Sequence, residues 1–374
     1  METTRRTFIR NASQATAAMV LASGIAPQFA NASFPSFGAR ANKSSHQSLL
    51  SPGQREILRL ATKAPSGHNA QPWLVEPESR NVWNIHLNKN ALLPVVDPSN
   101  REALLSIGAF LENLVVAAGH HGYQIHYEVV TDSRQPGKIL TIHFEPSKPV
   151  LTDLSRIKLR RTLRNDYLNK EICMEDLRFV AESIGGFGYY PQGTNMSEKL
   201  DELVYTANQQ QINRDAAMKE LGKWIRWSEK AAEKHQDGLT PESMEMNGFV
   251  KWIAKHFFSE KDLMKDSFRK KTLKGAVKQI ESHGGWVVLT SEDSEVLSLI
   301  ETGRRFERML LRIRERGIAM HPMSQVLEES PYNQQVHQFL GLDKPVQFVI
   351  RTGYVEKYPH PVSLRKDIGD VILQ

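Results

Sequence analysis

Apolar positions recur along this chain with the periods of strands and helices. Residues 82–87 and 139–144 alternate between apolar and polar side chains and predict two strands. Between them, residues 102–119 are apolar at helical spacing and predict a long buried helix. Upstream, Ser51 as an N-cap and Gln54 three residues later predict the start of another helix, which ends before a proline. The pattern favours an α+β fold.

The long helical segment has a second copy further along the chain. Residues 108–122 match residues 303–317 without a gap, with glycines at both ends and a glutamate at the fifth position of each. Two tandem copies of one α+β unit, 49–150 and 151–374, would explain the match, and chance similarity between two amphipathic helices is the alternative. A largely helical insertion at about 208–258 has no counterpart in the first copy and is a candidate lid.

Composition narrows the class of protein. The chain has 374 residues, of which 40% are hydrophobic and 24% charged, as in ordinary globular proteins. The net charge of +6 is thinly spread and accompanies no nucleic-acid-binding motif, so no nucleic-acid partner is expected. Cys173 is the single cysteine, which excludes an intramolecular disulfide and argues against a cysteine-based zinc site. No metal site is predicted.

The N-terminus resembles a twin-arginine (Tat) export signal. Arg5 and Arg6 precede a weakly apolar stretch at residues 11–26, which is followed by the A-x-A sequence of residues 30–32. We therefore expect a signal peptide over residues 1–32, a linker over 33–48, and a periplasmic or otherwise exported mature protein. The alternative is a flexible basic tail. No later run reaches the roughly 18 apolar residues of a membrane span, so the mature chain is expected to have none.

Two short segments carry candidate chemistry. Residues 65–73 place small residues, a histidine and an asparagine between two prolines, a composition that suits either a loop gripping a planar polar ligand or a structured turn. Residues 160–164 supply three arginines and a threonine. Such a run matches the charge-assisted hydrogen bonds that a phosphate monoester needs, although a solvated basic surface is the alternative. Arg365 adds a cation near the C-terminus.

Together these segments resemble the FMN-dependent nitroreductase family. Residues 65–73 are similar to its Pro-Ser-Ser-x-Asn-x-Gln-Pro-Trp loop, and residues 160–164 to its Arg-x-Ser/Thr-x-Lys/Arg phosphate motif. Residues 317–325 resemble the segment whose backbone faces flavin N5. Residues 349–354 and then Arg365 resemble the closing strand and a phosphate-binding basic residue. The resemblance covers most of the chain from residue 49 onward and implies a nitroreductase-like fold.

The family is normally a homodimer with two composite FMN sites, and here the contributions are divided between the two copies. The first copy has the loop but no arginine motif. The second has the arginine motif, but residues 184–190 stand where the loop would be. The resemblance therefore implies an intrachain pseudo-dimer with one composite FMN site, like the fused Acg-like subgroup, and a monomer in solution.

The resemblance also implies roles for individual residues. No catalytic side chain is expected, because the flavin carries the redox chemistry and the Ser324 backbone N–H would face its N5 atom. Lys278 is a candidate cation near flavin N1 and O2. The residues expected to bind FMN are Pro65, Ser66, Gly67, Asn69, Arg160, Arg161, Thr162, Arg164, Lys278, Pro322, Met323, Ser324, Gln325 and Arg365.

The function implied is an FMN-dependent oxidoreductase that reduces a nitro, quinone-like or other conjugated small molecule. Its electron donor would be NAD(P)H or, for an exported protein, a donor of the cell envelope. A non-catalytic exported flavoprotein that binds or sequesters FMN is the alternative. A hydrolase using Ser66 and His68 is disfavoured, because neighbours on one loop rarely form a nucleophile–base pair and no orienting acid is evident.

Overall fold

The computed structural model describes residues 49–130, 137–164, 167–246 and 248–373, without the side chain of Phe249. The predicted signal peptide and linker lie outside the described residues. Below, residues 49–150 are called the first half and residues 151–373 the second half.

The first half is one antiparallel sheet with two helices. Ser51 accepts the backbone N–H of Gln54 while Gln54 accepts that of Ser51, which confirms the predicted helix start. The strands and the long helix predicted from periodicity are confirmed within two residues at each end. The sheet order is β1-β2-β4-β3. The elements are α1 (Pro52–Ala61), a 3₁₀ turn (Gly67–Asn69), β1 (Trp73–Pro77), β2 (Val82–Leu87), a 3₁₀ turn (Lys89–Ala91), α2 (Arg101–His120), β3 (Tyr123–Val129) and β4 (Lys138–Pro146).

The second half contains a sheet of the same strand order, β5-β6-β8-β7, again with antiparallel neighbours. In both halves a long helix joins the second and third strands. The elements are α3 (Ser155–Leu159), α4 (Met174–Ala181), β5 (Gly188–Pro191), α5 (Asn195–Asn213), α6 (Asp215–Trp224), α7 (Glu229–His235), α8 (Gly248–Phe257), a 3₁₀ helix (Glu260–Met264), α9 (Asp266–Ile280), β6 (Gly285–Thr290), α10 (Val296–Ile313), a 3₁₀ turn (Arg314–Arg316), β7 (Ile318–Pro322), α11 (Gln325–Glu328), α12 (Tyr332–Leu340), β8 (Val346–Tyr354) and α13 (Ile368–Val371).

Helices α2 and α10 cross at the two glycines that the sequence alignment pairs. A Cβ atom on Gly108 would lie 2.1 Å from the carbonyl oxygen of Ile300, and one on Gly303 would lie 2.0 Å from that of Leu105. Leu105 and Ile300 also correspond when the ungapped alignment is extended by three residues towards the N-terminus. The contact is thus self-complementary, as at the axis of a twofold dimer. With the shared strand order, it confirms an α+β fold built from two copies.

Helix α2 has the length and composition of a membrane-spanning helix, and no other helix of the described part of the chain does. Its most apolar 18-residue window is 78% buried inside the protein. Phe110 on this helix stacks on Trp73 of β1 with the ring centroids 5.1 Å apart. Such burial is typical of the core helix of a globular protein.

The insertion lies between β5 and β6, where the first half has only a short hairpin turn. Its helices run from residue 195 to residue 280, a wider span than the predicted 208–258. Within the insertion, the chain leaves helix α6 at Ile225. There the backbone is extended, and the Arg226 N–H donates to the Leu239 carbonyl at 2.7 Å. This pairing separates α6 from α7.

Candidate functional site

A cavity of about 320 Å³ lies where the two halves and the insertion meet. Its volume falls at the lower end of the range of small-molecule sites. Of the fourteen residues expected to bind FMN, eleven line it: Pro65, Ser66, Gly67, Asn69, Arg160, Thr162, Arg164, Pro322, Ser324, Gln325 and Arg365. Residues far apart in sequence and from both halves therefore converge on one cavity.

The loop of residues 65–71 has an unusual backbone. His68, Asn69 and Gln71 all have positive φ angles, of 48°, 55° and 56°. Non-glycine residues in this region are uncommon, and they persist where the surrounding structure holds them. Inside the loop, the backbone N–H of Gln71 donates to Ser66 Oγ at 3.0 Å. Clustered left-handed residues in a cavity wall are typical of a functional loop.

Asn69 ties this loop to two distant segments. Its side-chain amide donates to the carbonyl oxygens of Gly238, at 3.0 Å, and Leu364, at 3.1 Å. Its Oδ1 atom accepts a hydrogen bond from Arg365 Nη1 at 2.7 Å. Because both amide hydrogens and the oxygen are engaged with protein, Asn69 positions the loop and Arg365 by these contacts.

Arg160, which is buried, and Arg365, which is half-buried, each place in the cavity wall a buried N–H donor that has no partner among the described residues. Arg160 is only 8% exposed, and its Nη1 atom has no hydrogen-bond partner among the described residues. Arg365 donates through Nη2 to the carbonyl oxygens of Lys63, at 2.9 Å, and Ala64, at 3.1 Å. Its Nε atom also lacks a partner within the described part of the chain. Buried donors of this kind are costly unless a ligand satisfies them.

The charge balance around these arginines favours an anion. Arg160 Nε lies 3.5 Å from Oε1 of the fully buried Glu307. Burial raises the pKa of Glu307 to about 7, with Arg160 opposing the shift. Burial, and then the neighbouring Arg160, lower the pKa of Arg365 to about 9. Glu307 therefore does not fully neutralise the positive charge of the two arginines. An anionic ligand in the cavity would stabilise both guanidinium groups.

Arg161 does not face the cavity, which corrects its predicted role. Residues 160–164 follow the end of α3 without helical structure, and Arg160 and Arg164 line the cavity on either side of Arg161 in the sequence. Arg161 instead donates to the carbonyl oxygen of His360 at 2.5 Å and to Glu245 at 3.1 Å. In a non-helical segment, neighbouring side chains point in different directions.

Lys278 and Met323 also lie outside the cavity wall. Thr272 is the residue of α9 that lines the cavity. Lys278 follows it by six residues, about 240° further around the helix, and is exposed. Met323 is 2% exposed, and its backbone N–H donates to the Val349 carbonyl at 2.9 Å. Its contribution is to extend the sheet pairing next to β7.

Three titratable residues of the wall were missed by the sequence reasoning: Glu102, His321 and Glu328. Burial, together with Arg164 and Arg351, lowers the pKa of His321 well below its ordinary value, so its imidazole is neutral at pH 7. Burial, and then repulsion by Glu102, raise the pKa of Glu328 well above its ordinary value. No local motif marks these residues, since their proximity depends on the meeting of the two halves.

The insertion forms the remaining wall of the cavity. Its contribution is mainly apolar and comes from α5, α6, the segment that follows α7, and α9. The lining residues of this region are Asn208, Gln211, Ile212, Ala217, Met218, Leu221, Leu239, Ser243 and Thr272. This wall suits a planar apolar ligand, while the arginines suit an anionic group.

No family model matches the chain. Two relatives have names that assign them to the NAD(P)H nitroreductases. The Mycobacterium tuberculosis protein Rv3131 is 24% identical over 332 residues, which cover 85% of this chain and 90% of that protein. PigM of a Serratia species is 23% identical over 304 residues, which cover 74% of this chain and 81% of PigM.

Two solved structures align with part of the chain. The FMN-dependent nitroreductase NfnB of Mycobacterium smegmatis, in complex with NADPH, covers 56% of this chain and 96% of its own, at 15% identity and a TM-score of 0.34. A nitroreductase-like family protein of Bacillus cereus covers 59% of this chain and 95% of its own, at 13% identity and a TM-score of 0.33.

Proposed function

We propose that this protein is an FMN-dependent oxidoreductase that reduces a nitro, quinone-like or other conjugated small molecule. The observation that carries the proposal is a pair of guanidinium groups, on Arg160 and Arg365, whose buried N–H donors lack partners among the described residues, in a cavity lined by the loop of residues 65–71. A phosphate monoester has the charge and the acceptors that these donors need. The names of the two relatives support the same class of reaction.

Different residues of the cavity would bind different parts of the cofactor. Arg160, Arg164 and Arg365 would hold the phosphate, and Ser66 with Gly67 would contact the ring system from the first half. Ser324, at the start of α11, would lie on the second-half side of the ring. When bound, FMN supplies hydride and electron transfer, while the protein provides orientation, charge and exclusion of water.

The electron donor in this proposal is NAD(P)H or a donor of the cell envelope. The relatives' names and the NADPH complex of NfnB concern those proteins and make the nicotinamide the first donor to test. The apolar wall provided by the insertion gives the alternative its support: if it closes over the ring, the chain would bind or sequester FMN without turnover.

Cofactor binding is tested with FMN and riboflavin, which differ by the phosphate. Removing a charge-assisted hydrogen bond costs about 1.5–3 kcal/mol, so Arg160→Gln should weaken FMN binding roughly 10- to 100-fold. Riboflavin binding should change less than about twofold. Arg161→Gln is the matched control and should leave both affinities close to wild type. Equal FMN affinity in wild type and Arg160→Gln, measured by fluorescence quenching, would contradict the phosphate assignment.

Turnover is tested by the visible spectrum of the FMN-loaded protein under anaerobic conditions. Bleaching of the flavin bands on addition of NADPH is the result expected of an oxidoreductase with an accessible ring. A spectrum that stays oxidised with NADPH but bleaches with dithionite would favour sequestration or an envelope donor.

We further propose that the chain is exported by the twin-arginine pathway and functions as a monomer. The support for export is the sequence around Arg5 and Arg6, and the support for a monomer is the composite cavity within one chain. Replacing both arginines by lysine should retain the protein in the cytoplasm on cell fractionation. Sedimentation of the mature protein as a stable homodimer would contradict the second proposal.

A further inference from the structure

We propose that Glu307 is the counterion that Arg160 exchanges for a phosphate group, so that binding of a phosphate monoester draws a proton from solvent onto the Glu307 carboxyl group. The inference rests on the proposed function and goes beyond it, because it couples cofactor binding to proton uptake. In this step one O–H bond forms on Glu307, and water or buffer gives up that proton. No electrons are transferred.

Arg160 and Glu307 form an ion pair that leaves much of the guanidinium group uncommitted. Arg160 Nε lies 3.5 Å from Glu307 Oε1, and neither Nε nor Nη1 makes a hydrogen bond to a described residue. Nη2 donates to the Lys63 carbonyl oxygen at 3.2 Å, which holds the guanidinium in the cavity wall. Glu307 therefore holds Arg160 by charge, and two buried donors lack the hydrogen-bond acceptors that a phosphate would supply.

The Glu307 carboxyl group is isolated from water. It lies on α10 with 0% of the residue exposed, and within the described part of the chain Arg160 is the one cation within 4 Å of it. A buried carboxylate is stable only while it is paired. A phosphate dianion at Arg160 would take over that pairing and add a like charge, so the neutral acid becomes the stable form of Glu307.

The protonation equilibrium of the free site agrees with this reading of the geometry. Burial raises the pKa of Glu307 to about 7, and Arg160 opposes the rise. The carboxyl group is therefore largely ionised at pH 8 while the cavity is free. When a bound phosphate offsets the charge of Arg160, the opposing effect is lost and the pKa rises further.

The corresponding glutamate of the first half shows the contrast with a permanent ion pair. Glu112 aligns with Glu307 and is also buried. Its Oε1 accepts from Arg308 Nε at 2.8 Å, and its Oε2 accepts from Arg304 Nε at 3.0 Å. Neither arginine is among the described residues that line the cavity. Glu112 thus keeps its cations when the cavity fills, whereas Glu307 depends on a cation that the ligand also contacts.

The other groups around Glu307 do not replace Arg160. Arg365, in the C-terminal segment, favours the ionised carboxylate, but it also lines the cavity and would face the same phosphate. From α2, the Asn113 side chain favours the ionised form and Glu112 disfavours it. The remaining charged groups near this turn of α10 are engaged in ion pairs with Glu112, and they are Arg304 and Arg308.

The test measures the protons taken up by the full chain when FMN or riboflavin binds at pH 8. The phosphate of FMN is already a dianion at this pH, because its second pKa is about 6, so it exchanges no proton itself. Titration calorimetry in buffers of different ionisation enthalpy gives the uptake. If bound phosphate raises the pKa of Glu307 from about 7 by one to two, wild type takes up about 0.4–0.8 proton with FMN. Riboflavin should cause almost none.

Glu307→Gln removes the charge and nearly keeps the shape of the side chain. It should lose the phosphate-specific proton uptake. Because binding no longer requires protonation, its FMN affinity at pH 8 should exceed that of wild type about five- to tenfold. Between pH 7 and pH 8 the FMN affinity of wild type should fall about three- to fivefold, and that of the variant should stay constant. A merely structural role of Glu307 would instead weaken the binding of FMN and riboflavin alike.

Glu301→Gln is the matched control. It removes a carboxylate from the same helix, but this side chain is 41% exposed and lies 3.4 Å from Arg304. The control should keep both the proton uptake and the pH dependence of wild type. The comparison of FMN with riboflavin on wild type needs no variant, so it decides the question even where a substitution disturbs folding.

The outcomes separate this inference from the proposed function. Equal proton uptake with FMN and riboflavin would overturn the exchange. Uptake that persists in Glu307→Gln would also overturn it, and would assign the proton to Arg365 or to the neutral His321 of the cavity wall. Both results would leave FMN binding intact. A wild-type chain that binds FMN no more tightly than riboflavin would overturn the phosphate assignment of the proposed function, and this inference with it.

Discussion

The crossing of α2 and α10 at Gly108 makes a quantitative prediction about stability. Alanine in a helix is ordinarily more stable than glycine by about 1 kcal/mol. At this position the new methyl group would lie 2.1 Å from the Ile300 carbonyl oxygen, more than 1 Å closer than ordinary contact at 3.4 Å. A backbone carbonyl in a buried helix cannot move aside as a flexible side chain can. The helices must therefore separate, and such overpacking costs about 1–3 kcal/mol or more.

We expect Gly108→Ala to lower the free energy of unfolding by about 2 kcal/mol, which for a chain of this size lowers Tm by roughly 3 °C. Gly303→Ala should have a similar effect, since its methyl group would meet Leu105 in the same way. The matched control is Gly275→Ala on α9, where a Cβ atom meets nothing within 4 Å and should raise Tm slightly. Calorimetry on the full chain measures all three. A Gly108→Ala variant as stable as Gly275→Ala would refute the close crossing.

Two further predictions concern Asn69 in the cavity wall and Asp97, the residue after the lining residue Val96. Asn69→Ala removes the hydrogen bonds to the carbonyl oxygens of Gly238 and Leu364 and should lower the urea-unfolding free energy by about 1–3 kcal/mol; an unchanged midpoint would contradict its positioning role. Burial, and then Glu102, raise the pKa of Asp97 to about 6 in the folded protein, above its usual 3.8. The unfolded chain therefore releases this proton first, and stability should fall as pH rises from about 4 to 6 and then level off. Asp97→Asn should lose that fall, and identical pH profiles of the two proteins in chemical denaturation would count against it.

Local features of the fold were predictable because their causes are local. Ser51 and Gln54 mark a helix start by short-range hydrogen bonds that any chain with this spacing can form. The duplication was visible because the close packing of the two helices requires glycine at the crossing, and both copies have glycine there, Gly108 and Gly303. The split between α6 and α7 was not predictable, because it depends on Arg226 pairing with the distant Leu239.

The candidate site was predictable only as far as short motifs extend. Residues 65–73 and 160–164 identify a loop and a basic segment, but not which of their side chains face inward. Arg161 was therefore assigned with Arg160, although it contacts Glu245 on the other side of the segment. Glu102 and Glu328 are more than 200 positions apart in sequence and both line the cavity, so only the folded chain shows that they belong to one site.

The composite cavity has a consequence for how the protein withstands dilution. A site shared between separate subunits is lost when their concentration falls below the dissociation constant of the assembly. Here Asn69 and Arg365 belong to one covalent chain, so their encounter is intramolecular and has a fixed effective concentration. The same linkage frees each half from serving two roles, because a substitution in one copy is not repeated in the other. One half can then specialise in the loop and the other in the arginines, which is the asymmetry that the chain displays.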